Sequence, residues 1–158
     1  MKLFSDASEY ALRAVVWLAQ YPGEHRKVKD IAIGTQAAAG YLIKVLQGLM
    51  KAGILTAQRG SNGGFALQRD PATLSVYEVV QAIDPIERIR TCPLGLSAHG
   101  KNLCPMHKRI DDAIASIEAN FRQCTIQQLL DEPSTSIPLG IKIARNRSVS
   151  DSASPPAA

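Results

Sequence analysis

Four side chains that can bind metals or do thiol chemistry fall within sixteen residues: Cys92, His99, Cys104 and His107. Thiolate and imidazole are the soft and borderline ligands that iron and zinc prefer. Cys104 and His107 are three residues apart, in C-P-x-H, a spacing that lets both reach one metal. The six-residue gap from Cys92 to His99 is wider than ordinary zinc-finger spacing. Three chemistries therefore compete for this segment: an iron–sulfur cluster, a Cys2His2 zinc site, and a metal-free thiol switch. The plain alternative is that Cys92 and Cys104 are small buried hydrophobes. The third cysteine, Cys124, is expected to be packed. An odd cysteine count does not build a disulfide scaffold; it suits free thiols or ligands in a reducing compartment.

The segment needs a scaffold, and the flanking sequence supplies one. Ser5–Tyr21 reads as a helix, with Asp6 as cap and Glu9 as its capping-box partner. Ala11, Ala14, Val15 and Leu18 form one apolar face, and Leu12, Val16 and Trp17 a second. Two apolar faces ask for two partners, which hints at a dimer contact. Val28–Gly34 is a short helix, Thr35–Ala38 a turn, and Gly40–Ala52 a longer helix with Leu42, Val45, Leu46 and Leu49 inward. Gly53 closes it. That is the helix-turn-helix pattern.

A strand over Ile54–Arg59, a glycine-rich turn and a return strand over Phe65–Arg69 follow, making a winged helix. Ser75 and Glu78 cap a helix over Val76–Ile83. After the cysteine segment, Lys108–Phe121, with Met106 just before it, carries an apolar stripe of Met106, Ile110, Ile114, Ile117 and Phe121, suited to packing on a second copy, the alternative being a helix packed on its own domain. Thr125 and Gln128 cap a last short helix ending at Leu130. The expected fold is mainly α with a small β-hairpin: a winged helix-turn-helix over 1–84, a Cys/His sensing loop over 85–107, a dimerisation helix region over 108–130, and a disordered Ser/Pro/Ala-rich tail over 131–158.

Charge points the same way. Residues 1–60 hold eight Lys/Arg against four Asp/Glu, whereas the remainder holds ten of each, so the whole net charge of +4 lies in the first 60 residues. Clustered positive charge suits a phosphate backbone, and double-stranded DNA is the expected partner. The candidate contacts are Gln36, Tyr41, Lys44, Gln47 and Lys51 on the helix-turn-helix, with Arg59 of the wing at the minor groove. No apolar run is long enough for a membrane span, and the N-terminus lacks a signal-peptide pattern, so a cytoplasmic protein without a membrane partner is expected. An enzyme is disfavoured. No acid or base accompanies the Cys/His segment at a recognisable spacing, and the glycines of RGSNGGF lie between strands, unlike a phosphate-binding loop. A DNA-free interaction module is the competing binding class.

Five strings taken together, EYALRAVVWLA, YLIKVLQGLMKAGIL, RGSNGGFAL, LSVYEVVQAID and RTCPLGL…LCPMHKRIDDAI, resemble the bacterial IscR/NsrR-type winged-helix regulators, the Rrf-two family, over roughly residues 1–131. The resemblance implies a homodimer on a near-palindromic operator, read here as a repressor. In many members it also implies an iron–sulfur cluster, here of the 2Fe-2S type, or redox-active thiols. Cluster-binding relatives carry three cysteines five residues apart. This chain keeps the first at Cys92 and the third at Cys104, but Ala98 stands at the middle position and cannot ligate. The substitutes on offer are His107, His99, and Glu9 of a partner subunit, in that order.

Overall fold

The computed structural model describes residues 4–99 and 102–140. Six helices and one hairpin follow in the order α1 (Asp6–Leu18), α2 (Val28–Thr35), α3 (Ala39–Lys51), β1 (Leu55–Gln58), β2 (Gly64–Leu67), α4 (Val76–Ile83), α5 (Pro105–Gln123) and α6 (Ile126–Asp131). Among the described residues, no helix is long and apolar enough to cross a membrane.

Helix α1 is the centre of the fold. It packs against α2, α3, α4 and α6. Its cap is Ser5, whose side chain accepts from the Ser8 N–H, not Asp6. Glu9 is therefore released from the capping box that the sequence suggests, and pairs with Arg13 one turn on at 2.6 Å. Both apolar faces of α1 are buried, including Val16 and Trp17 on the second. The second partner is found within the chain. Trp17 seats on Gly34 of α2 and on the Tyr21 ring, while Val16 lines a shallow cleft together with Leu129 and Pro138. Val16 and Trp17 of this face are thus covered from within the chain, while Leu12 is half-buried.

Helices α2 and α3 form the helix-turn-helix. Ile31 and Ala32 of α2 are buried, as are Leu42, Val45, Leu46 and Leu49 of α3, the residues that the i, i+3, i+4 spacing places inward. Between them Gln36 takes a left-handed conformation, φ 53°, and reverses the chain. Gly53, φ 71°, closes α3 and drops Ile54 and Leu55 into the core.

The hairpin is antiparallel, pairing Leu55 with Leu67 and Gln58 with Gly64. A feature absent from the sequence pattern extends it. Arg26 and Phe65 exchange both backbone hydrogen bonds at 2.8 Å, so the loop before α2 pins the wing. Gly64 permits this: a Cβ there would lie 2.2 Å from the Arg26 carbonyl oxygen.

Helices α4 and α6 both start in complete capping boxes, Ser75/Glu78 and Thr125/Gln128. They are stapled together at their starts, since the Val76 N–H donates to the Cys124 carbonyl and the Ile126 N–H to that of Leu74. Helix α5 begins at Pro105, three residues before the expected start, because proline at the first helical position is already preset. Residues 131–140, where Asp131 ends α6, were expected to begin a disordered tail. They include a 3-10 turn, Pro138–Gly140, that lies against α1, and Leu139 packs on the core. Residues 141–158 of that expectation lie outside the described residues.

Candidate DNA-reading face and cysteine–histidine loop

Two surfaces carry the residues singled out above. The first is the outer side of the helix-turn-helix. Gln36, Tyr41, Lys44, Gln47, Lys51 and Arg59 are all exposed. Their arrangement is unequal. Lys44, Gln47 and Lys51 share one stripe of α3, since residues three and four apart lie on one face. Gly40 and Ile43 lie along the same side towards the helix start and are also exposed; neither has a polar side chain, so residue type alone does not single them out. Tyr41 sits off this stripe, with its ring edge-on to Tyr10 of α1 at 5.7 Å.

Lys44, Lys51 and Arg59 have no ion-pair partner among the described residues, whereas Arg13, Arg26, Arg69, Arg88 and Arg122 are all matched to carboxylates. The three free cations leave a face ready for external anions.

The second surface is the segment from Pro85 to Cys104. Its near end is clamped to α5. Arg88 places Nε and Nη2 on the two oxygens of Asp111, each at 2.6 Å, and the Ile89 N–H donates to the same carboxylate at 2.9 Å. The guanidinium of Arg88, with the Ile89 N–H adding to it, holds the Asp111 carboxyl down at about 2. Arg88 also reaches Glu118 at 3.7 Å. Glu118 in turn holds Arg122, which stacks 3.5 Å over the Tyr77 ring of α4. The far end is equally fixed, because Cys104 is the N-cap residue of α5.

Between these anchors the sulfurs form two separate pairs. His99 Nδ1 lies 3.3 Å from Cys92 Sγ, and His107 Nδ1 lies 3.3 Å from Cys104 Sγ. Cys92 opens a turn closed by the Gly95 N–H on its carbonyl oxygen. The Leu96 N–H donates to the sulfur and, with help from His99 and the Leu94 N–H, lowers the thiol pKa from its ordinary value. Cys124 differs. It is packed beside the core, and burial pushes its thiol up. Glu9 is on α1, occupied by Arg13.

A cluster or structural metal needs three or four protein donors on one centre, or fewer with exogenous ligands. The donor types in this segment suit iron or zinc. Their placement does not: among the described residues, no three His, Cys, Asp or Glu side chains group as a metal site. One chain in this conformation holds two thiol–imidazole pairs rather than a closed Cys2His2 set.

Comparison with known proteins agrees with the helix-turn-helix. An HTH-type transcriptional regulator of Aquifex aeolicus is 27% identical over 132 residues, spanning 82% of this chain and 92% of its own. Among solved structures, CymR, the global cysteine regulator of B. subtilis, superposes with a TM-score of 0.69 at 19% identity, covering 85% of this chain and 100% of its own. IscR of T. potens gives 0.68 at 23%, covering 83% and 87%. Both share the winged-helix fold. The family model described as an iron-dependent transcriptional regulator matches residues 4–132, and the chain belongs to that family, Rrf2.

Proposed function

We propose that this protein is a cytoplasmic transcriptional repressor that binds a near-palindromic DNA operator as a homodimer, under the control of its cysteine–histidine loop. The observation that carries the DNA reading is the exposed stripe of α3, with Lys44, Gln47 and Lys51 free of side-chain partners among the described residues. Lysine and glutamine suit guanine and adenine edges in the major groove, and the wing brings Arg59 to the flanking minor groove. Phosphate contacts from the same cations supply affinity that falls steeply with salt.

The dimer reading rests on α5. It buries no residue completely, and Met106 and Ile110 on its apolar stripe are 60% and 44% exposed. Leu94, at 73%, adds apolar surface from the loop. A second copy covering this stripe would set two α3 helices about one DNA turn apart.

Control is assigned to the loop because both of its ends are fixed to α5, the proposed dimer helix. A chemical change at Cys92 or Cys104 therefore acts next to the surface that sets the spacing of the two reading heads. The geometry favours control through the two thiols. A second reading, iron held as a cluster, is favoured by the family's description as iron-dependent. It requires the two pairs to be brought together by loop movement or by donors from a partner copy.

A mobility shift on promoter DNA tests the first part. Lys44→Ala with Arg59→Ala should abolish binding while changing stability by less than about 0.5 kcal/mol, as both side chains are exposed. Wild-type binding by that double variant would overturn the reading face. Anaerobic reconstitution with iron and sulfide separates the sensor readings. A visible spectrum lost in Cys92→Ala and Cys104→Ala but kept in Cys124→Ala supports the cluster. Colourless, metal-free protein whose DNA affinity still changes on thiol oxidation supports the thiols.

A further inference from the structure

Two exposed residues of α3, Ile43 and Met50, put apolar side chains at the edge of the reading stripe, and Ile43 is the one nearer the helix start. Ile43 is 39% exposed on α3, one turn after Gly40 and one turn before Gln47, beside Lys44. It is outside the core cluster and the residues packed against it. The core side of α3 is filled by Leu42, Val45, Leu46 and Leu49. A branched aliphatic residue is also a poorer helix former than the polar residues around it. In a helix its χ1 is held to essentially one rotamer, so an exposed isoleucine is a stiff, pre-aimed apolar tip.

Gly40 sharpens this. A Cβ there would meet nothing within 4 Å, so no internal packing demands the glycine. Its effect is outward: the stripe is bare one turn before Ile43, which lets the helix backbone approach a flat partner closely. An apolar tip at the edge of a stripe that carries a carboxamide and cations, in a helix that enters the major groove, has one matching feature among the base edges. That feature is the thymine 5-methyl group, the only apolar group presented there.

Building on the reading of α3 as the groove-reading helix, we propose that Ile43 is a specificity-determining residue that packs against the methyl group of a thymine in each half-site. Gln47 and Lys44 supply the polar contacts beside it, and Ile43 fixes one A·T pair in one orientation.

The test uses the full chain and a pool of duplexes with a randomised core. The wild-type protein should select duplexes carrying a fixed thymine in each half-site, and Ile43→Ala should relax that position while keeping the others. Replacing that thymine by deoxyuridine then removes only the methyl. Burying one methyl-sized group corresponds to about 4-fold in affinity per half-site. The wild type should lose about that factor per replacement, and Ile43→Ala should lose none. Equal loss in both proteins, or no thymine preference in the wild type, overturns the assignment to Ile43 and leaves DNA binding by α3 standing. If no duplex is retained by the wild type while the chain is folded, the DNA reading itself fails, and this assignment with it.

Discussion

Replacing Gly34 by alanine tests how the helix-turn-helix is seated on α1. Gly34 is the next-to-last residue of α2, and an added Cβ would lie 2.0 Å from Trp17 Nε1 and 2.5 Å from Cε2. Real Cβ atoms do not approach ring atoms so closely, so either the indole or α2 must move. Trp17 is buried against Tyr21, and its buried indole N–H has no hydrogen-bond partner among the described residues, so packing holds the ring. Two effects oppose each other. Alanine in place of a helical glycine contributes up to about 1 kcal/mol. Overpacking a filled core costs about 1–3 kcal/mol, and a contact this short with a rigid ring belongs at the upper end. The clash wins, with a net loss of about 2 kcal/mol, or about 6 °C in Tm for a chain of this size.

Two other glycines in the motif serve as controls. At Gly48 the obstacle is only the free end of the Ile83 side chain, 2.8 Å away, and at Gly40 there is none. Thermal melts should therefore rank Gly40→Ala above Gly48→Ala, and both above Gly34→Ala. Gly40→Ala should raise stability by about 0.5 kcal/mol. A Gly34→Ala protein as stable as the wild type would show that Trp17 does not sit under α2, and the argument for how α3 is held would fall with it.

Acid stability offers a second test. The Asp111 carboxyl is held down at about 2 by Arg88, so its contribution is complete above the unfolded carboxylate pKa near 4 and is lost as pH falls through about 2. The Tm difference between wild type and Asp111→Asn should be constant above pH 5 and shrink towards zero by pH 2; a difference independent of pH would refute the clamp. At the far end of the described chain, Leu139→Ala should lower stability by about 1 kcal/mol, because the side chain is half-buried against the core. Denaturant unfolding with an unchanged midpoint would mean that the 3-10 turn does not dock on α1.

Much of the architecture is written in local pattern. The inward faces of α2 and α3 follow from apolar residues at helical spacing, and both capping boxes follow from Ser75/Glu78 and Thr125/Gln128. The wing follows from glycines set between two short β-prone runs. The exposed polar residues of α3 are legible for the same reason: once the inward residues of a helix are known, the outward ones are known too.

Other features join residues far apart in the chain, and no local pattern encodes them. The Arg26–Phe65 bridge, the Arg88–Asp111 clamp and the staple between α4 and α6 depend on where whole elements come to rest. The second face of α1 is the clearest case. Its apolar character is plain in the sequence, but only packing decides that α2, α6 and the following turn lie against it. The cysteines and histidines divide in the same way. Their types and spacing identify thiol–imidazole chemistry. Tertiary structure anchors both ends of their loop to α5 and sorts the four side chains into two pairs, because convergence on one centre is a property of the folded path and not of spacing.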